Sequence, residues 1–286
     1  MLKIGDIRIH LINDCITMVD GGGPFGLVPR KLWERVIPHD GENMVPMHQT
    51  CLLAQVGERN IVVDTGMGNK LSEKELQMWQ LRHVNGGLID GLARLGLTSA
   101  DIDLVINTHL HADHVGGSTT FAPDGRIVPT FLNAEHVVQR REYEDAMHPN
   151  ERTRATYIAA NFQALMDTGQ LRVLDGDTEL APGVWGVVTP GHTPGHMSVR
   201  FESGGQHAAF VCDMASYAVH FEKLAWMTAY DVEPLVTLET KRQWQKWALE
   251  TNALIIFPHD PKRVVGRLVI PENGAPRIEA VEEPYV

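Results

Sequence analysis

His109, His111, Asp113 and His114 fall within six residues of one another, in the segment Thr108-His-Leu-His-Ala-Asp-His-Val-Gly-Gly117. The apolar run at residues 102–106 precedes them and reads as a buried strand. Alternation along the end of such a strand points His109 and His111 the same way. Asp113 and His114 then fall at the start of the glycine-containing turn and helix that follow. Imidazole and carboxylate ligands suit Zn, Fe, Mn or Co, and one cation rarely takes four of them from so short a segment without strain. Two adjacent cations would use all four. Such a pair repels itself unless an anion bridges it, and it lowers the pKa of a shared water toward ~7, which gives a nucleophile for hydrolysis.

The run HLHADH followed by Gly-Gly resembles the HxHxDH signature of the metallo-β-lactamase superfamily. Four further segments are similar to that family's motifs and occur in the right order. They are Val63-Asp64-Thr65-Gly66, Thr189-Pro-Gly-His-Thr-Pro-Gly195, Phe210-Val-Cys-Asp213 and Phe257-Pro-His259-Asp260. The resemblance implies an α/β protein built as a four-layer αββα sandwich around one or two metals. It implies that His109, His111 and His192 hold a first metal, that Asp113, His114 and His259 hold a second, and that Asp213 bridges them. The cofactor expected is a pair of divalent ions, zinc foremost, with Fe, Mn or Co as alternatives. Asp64 resembles the family's carboxylate that orients a ligand imidazole. His196, four residues after His192, is expected to be a structural neighbour. Cys212, on an alternating strand, is expected to point away from Asp213 into the core.

A site that activates water and polarises an oxygen points to hydrolysis. Residues 214–221 with Trp226, Met227 and Tyr230 form an apolar, aromatic lining with polar tips, suited to a small neutral acyl or aryl substrate. Tyr217 resembles the tyrosine that acyl-homoserine lactonases of the superfamily place after the bridging aspartate, at a spacing one residue longer. His220 competes for that role, and Asp113 counts among the catalytic candidates as well as the ligands. The expected activity is therefore opening of lactones or cleavage of carboxylic esters by a metal-bridging hydroxide. Segments around Gly23-Pro-Phe-Gly26, Trp33 to Pro38 and Thr228-Ala-Tyr-Asp231 also resemble the branch containing methyl parathion hydrolase, so organophosphate triester hydrolysis is the alternative. Glyoxalase-type thioesterases use basic residues near the C-terminus, where this chain carries Glu282 and Glu283. Di-iron oxidoreductases of the fold carry a glutamate where Ala112 stands, and mono-iron ones lack the second site that His114 and His259 would complete.

The elements that must position these residues follow from hydrophobic pattern. Residues 4–12 alternate and read as an edge or half-buried strand; 51–56 and 61–64 read as a hairpin across Gly57. A helix is expected over 88–95 with Gly96 as its stop, a strand over 127–132, and charged amphipathic helices over 135–146 and 153–166. Strands follow at 184–188, 197–201 and 208–212, then a helix from Pro234 to residue 250 and a buried strand at 253–257. Residues 19–49 break this rhythm with glycines and prolines, and read as a long loop serving as pocket wall or dimer arm, with Phe25, Leu27, Trp33 and Met44 exposed. Motifs that converge on one site span most of the chain, so residues 1–286 are expected to form one domain.

Composition narrows the partners. A net charge of −11, from 25 basic and 36 acidic residues, excludes a nucleic-acid backbone, and no basic block favours a membrane surface. No run approaches the ~18 apolar residues of a membrane helix. Three cysteines without CxxC spacing and an N-terminus without a leader pattern lead to an expected cytoplasmic location, possible homodimer included.

Overall fold

The computed structural model describes residues 1–272, 274–283 and 285–286. The first half of the chain lays down β1 (Leu2–Ile4), β2 (Ile7–Asp20), β3 (Met44–Val56), β4 (Arg59–Val63) and β5 (Leu104–Ile106). A small hairpin of β6 (Thr119–Phe121) and β7 (Ile127–Pro129) follows, then β8 (Glu135–Gln139) and β9 (Leu171–Leu174). The second half supplies β10 (Thr178–Ala181), β11 (Val184–Val188), β12 (Met197–Ser203) and β13 (Gln206–Phe210). It closes with β14 (Leu254–Ile256), β15 (Val265–Val269) and β16 (Arg277–Ala280).

These strands form two seven-stranded sheets, one ordered β1-β2-β3-β4-β5-β8-β9 and the other β10 through β16 in sequence. From β4 to β9 the first sheet is parallel, and in the second only β13 and β14 pair in parallel. Alternation then builds the layers. Ile61, Val63, Leu104 and Ile106 enter the space between the sheets, where they meet Val199, Phe201, Phe210 and Ile256. Their neighbours Val62 and Val105 face outward, under Leu88 and Leu92 of the helix Gly87–Arg94. On the other side Ala209, Ile255 and Phe257 lie beneath Trp244 and Ala248 of the helix Pro234–Thr251. Strands buried on both faces read as unbroken apolar runs. The result is the αββα sandwich that the resemblance implied. Among the described residues no helix is long and apolar enough to cross a membrane.

Several local expectations are corrected. Residues 4–12 are not one strand: β1 ends at Ile4 and takes the edge, and the half-buried strand is β2, which runs on to Asp20 between β1 and β3. Residues 135–139 are a strand, because buried His136, Val137 and Val138 pair between β5 and β9, and only Arg140–Met147 is helical. The charged pattern of the helix follows directly on a β-branched core strand, and the sequence shows no break between them. Over 153–166 the chain turns, Thr156 Oγ1 donating to Thr153 O, and a helix begins only at Gln163–Asp167. The strand expected to reach residue 132 ends at Pro129.

The stretch 19–49 is strand at both ends, Asp20 pairing with Met44, with short helices Gly22–Phe25 and Arg30–Trp33 between. Phe25 and Trp33 are buried, stacked with ring centroids 5.1 Å apart, whereas Leu27 is wholly exposed. Their partners are Val19, Val45, Tyr217 and Val219, so this arm has a core of its own.

Glycines make the approach to the site possible. A Cβ on Gly116 would sit 2.3 Å from Met67 O, and one on Gly117 2.3 Å from Thr65 O, so the turn after His114 can lie flat against the turn after β4 only without side chains. Gly116→Ala is expected to lower stability by about 1–3 kcal/mol, as overpacking does. Urea unfolding midpoints of the two proteins measure it; an unchanged midpoint would show that this turn has room to spare.

Candidate metal centre

The C-terminal ends of β4, β5, β11, β13 and β14 meet at one end of the sandwich, and each runs into a loop carrying an imidazole or carboxylate. At the middle stands Asp213. Its Oδ2 lies 3.3 Å from His192 Nε2, 3.3 Å from His114 Nε2 and 3.8 Å from His109 Nε2, while its Oδ1 lies 3.0 Å from His259 Nε2. His111 Nδ1 is 3.1 Å from His192 Nε2. Asp113 Oδ2 is 3.5 Å from His114 Nε2 and 3.8 Å from His259 Nε2. One set of ligand-type atoms, from His109, His111, His192 and Asp213, lies within 4.8 Å of one another, and a second set comes from Asp113, His114 and His259. All seven sequence candidates for metal ligation are thus brought together.

The chemistry of this donor set fits cations. His109 Nε2 and His114 Nε2 are buried and find no hydrogen-bond partner among the described residues; the approach of His114 to Asp213 is off the line of a hydrogen bond. Ring nitrogens left without a partner in a protein interior are costly unless something binds them. Burial and the neighbouring imidazoles push His109 and His111 well below the usual histidine range, which favours the neutral form that ligates a cation. Burial alone would raise the Asp213 carboxyl, but His259, His114 and His192 outweigh it and hold the group ionised.

The outward nitrogens are held by the protein. His114 Nδ1 lies 2.9 Å from Asp64 Oδ2, His192 Nδ1 2.9 Å from Asp231 Oδ1, and His259 Nδ1 2.6 Å from His48 O. Such contacts fix ring orientation and tautomer. Asp64, at φ +54°, also accepts from Thr108 N and Thr108 Oγ1. Asp231 was not singled out as a partner of His192: it lies 39 residues downstream with no ligand-type neighbours, and only the fold supplies the pairing. His196 has both nitrogens engaged within the protein, Nδ1 with Thr189 Oγ1 at 2.8 Å and Nε2 accepting from Asp213 N at 3.2 Å.

Cys212 lies in the core as expected, but not on a strand. β13 ends at Phe210, and Cys212 takes φ +48° in a tight turn rather than continuing the strand. Its thiol therefore lies against the rear of the cluster, 3.0 Å from Thr108 Oγ1 and 3.4 Å from Asp64 Oδ2. It remains buried.

A cleft of about 450 Å³ opens onto the cluster. His111, Asp113, His192, Asp213 and His259 form its floor, and Met47, Met67, Leu71, Trp79, Tyr217 and Tyr230 contribute walls. The Tyr217 phenol donates to Pro46 O at 3.2 Å. His220 does not reach the cleft: it is buried behind Tyr217 and Phe25, ring centroids 5.4 Å from each. Its place in the core corrects the expectation that it contacts substrate.

Residues 44–265 match the model of the metallo-β-lactamase superfamily, and the chain belongs to that superfamily. It is a hydrolase of the superfamily whose relatives include lactonases. It is similar to an N-acyl homoserine lactonase of a Bacillus species, 29% identical over 238 residues, covering 78% of this chain and 85% of that one. It is also similar to the structure of a probable metal-dependent hydrolase from Staphylococcus aureus, at 31% identity and TM-score 0.90 over 100% of both chains. The fold is shared with the dizinc quorum-quenching lactonase AidC, solved with a product, at 20% identity and TM-score 0.79 over 100% of this chain and 97% of that one.

One carboxylate that sequence reasoning missed ties the ligand segments together. Glu142, fully buried, accepts from Leu110 N at 3.0 Å, from Tyr157 OH at 2.9 Å and from Thr193 Oγ1. Leu110 lies between His109 and His111, and Thr193 follows His192. Its signal was hidden in a charged stretch, Arg140-Arg-Glu-Tyr-Glu-Asp145, where only Glu142 is fully buried. Glu142→Ala leaves three buried donors without an acceptor, at about 1–3 kcal/mol each. Chemical denaturation is expected to show a loss on the order of 3 kcal/mol or more, with Glu142→Gln milder. Equal stability of the alanine variant would remove Glu142 from this role.

Proposed function

We infer that this chain is a dinuclear metal-dependent lactonase that opens N-acyl-homoserine lactones. The observation carrying the reading is an apolar cleft whose floor is the His/Asp cluster, and the lactonases among the chain's relatives support it. His109, His111 and His192 would hold one divalent cation, Asp113, His114 and His259 the other, with Asp213 shared between them. Zinc suits this set of nitrogens and oxygens. When bound, the metals supply Lewis acidity toward a carbonyl and a nucleophile at neutral pH.

The protein's own residues do the rest. Asp213 would put a negative charge within reach of both cations and offset their repulsion. Met47, Met67, Leu71 and Trp79 take the acyl chain and exclude water from it. Tyr217 turns its phenol from Pro46 O to the lactone oxygen as that oxygen gains charge. Asp113, the more open of the two site carboxylates at 23% exposure against 8%, takes the proton released as water adds to the lactone carbonyl and returns it to the ring oxygen as the ring C–O bond breaks. Free, buried Cys15, Cys51 and Cys212 support a reducing compartment, the cytoplasm.

Elemental analysis of fully loaded protein is expected to give two metals per chain, and Asp213→Asn to lower that content. His192→Ala is expected to lose metal and activity together, whereas His196→Ala keeps its metal and loses stability. One metal per loaded chain, or metal loss confined to His196→Ala, would overturn the ligand assignment.

The activity itself is tested with acyl-homoserine lactones, simple lactones, aryl esters and aryl phosphotriesters at equal metal loading. Acyl-homoserine lactones are expected to give the highest kcat/KM. Tyr217→Phe is expected to lower lactone kcat about tenfold, a fraction of what an oxyanion donor contributes in favourable cases because the metals share the charge. Phosphotriesters with good leaving groups should barely change. Preference for the phosphotriester would overturn the lactonase reading, and equal small effects on both would reduce Tyr217 to packing.

A further inference from the structure

Behind one wall of the cleft lies a second, smaller cavity of about 140 Å³. Met67, Leu71, Glu75, Ala112 and Ile158 face both spaces, so they form a partition rather than a solid wall. Two of the five are unbranched or γ-branched side chains in the loop after β4, and Ala112 offers only a methyl. The rear space is completed by Phe121 and Ile127 of the β6–β7 hairpin and by Lys70, Ala160 and Asn161.

Two of its three polar members, Lys70 and Glu75, are turned to other tasks, the Glu75 carboxylate accepting from Ser72 N and Ser72 Oγ. The Lys70 amine donates to Gly116 O and to Thr119 O, and Thr119 Oγ1 in turn donates to Ala160 O at 2.8 Å. The stem of Lys70 thus lines the cavity while its charge is held at the rim by carbonyls. What faces the interior is chiefly Met67, Leu71, Ala112, Ile127, Ile158 and Ala160. Phe121, half exposed, closes the outer end.

We propose that this rear cavity is a subsite for the distal end of a long, unbranched acyl tail, entered across the partition beside Ala112. The proposal rests on the acyl-lactone reading of the cleft and names the substrate class within it: long-chain rather than short-chain acyl groups. A tail lying only in the cleft stops gaining affinity once its end meets the partition. A tail crossing it continues to leave water, and each buried methylene multiplies affinity by about fourfold (~0.8 kcal/mol).

The test is isothermal titration of the metal-loaded protein with ring-opened N-acyl-L-homoserines from butanoyl to dodecanoyl. Wild type is expected to gain about fourfold per methylene through the longer members. Ala160→Trp fills the rear cavity, and Ile127→Trp fills it from the opposite side should the first variant fail to fold. Either is expected to level off at least two methylenes earlier, with the gap from wild type opening only at the longer chains. Superimposable profiles, uniform weakening at every length, or no binding by any member would overturn the subsite. Turnover of the matching lactones is followed in parallel. No lactone turnover with the length profile intact would sink the lactonase reading and leave the subsite standing.

Discussion

Asp213 carries a negative charge in the protein interior with the ring nitrogens of His109, His114, His192 and His259 all within 3.8 Å of its oxygens. A carboxylate at this depth is tolerable only where positive charge surrounds it, and imidazoles at this density are tolerable only where something binds their lone pairs. Each group's desolvation is thereby made conditional on the others. Much of the surrounding architecture can be understood as keeping these few groups at their separations. Strand ends set the coarse positions, and the Asp64, Asp231 and His48 contacts set the ring planes. Glu142 fixes the backbone between ligands.

The cleft is built on the same foundation but with different materials. Its walls come from the arm between β2 and β3, from the loop after β4, and from the segment following Asp213. The stacked Phe25 and Trp33 give the arm a core, and that core presses on Tyr217. Lys241, wholly buried, donates to His220 O and Trp226 O, which pins the segment leading from Tyr217 toward Asp231. Burial lowers the pKa of this amine to about 8, because the carbonyls that receive it solvate it less well than water. Substrate wall and ligand support are thus mechanically joined.

How much of this could be read beforehand depended on how local each cause was. HLHADH was legible because its ligands are neighbours in sequence and a strand end presents them together. The sandwich was legible through the five ordered motifs that carry the resemblance, and apolar runs such as Ile61–Val63 and Leu104–Ile106 marked its buried strands. The strand at Glu135–Gln139 was not, since its charged flank imitates a helix and only its place between β5 and β9 decides otherwise. Phe25 and Trp33 were misread for a related reason: an arm rich in glycine and proline was assumed to lie open. Asp231 and Glu142 act through contacts made only after distant segments meet.

The division of the chain between its sheets has a further consequence. His109, His111, Asp113 and His114 follow strands of the first sheet; His192, Asp213 and His259 follow strands of the second. Among the described strands the chain passes from one sheet to the other between β9 and β10, and after β16 Val286 returns to the first sheet, its N–H donating to Leu11 O. Neither half alone can assemble a full coordination sphere. Because side chains alternate along a strand, a strand paired one residue out of register within either sheet would turn its buried face outward and carry the loop at its end away from the others. An assembled centre is therefore a joint of two halves as well as a catalyst, and its occupancy reports that the two sheets have met correctly.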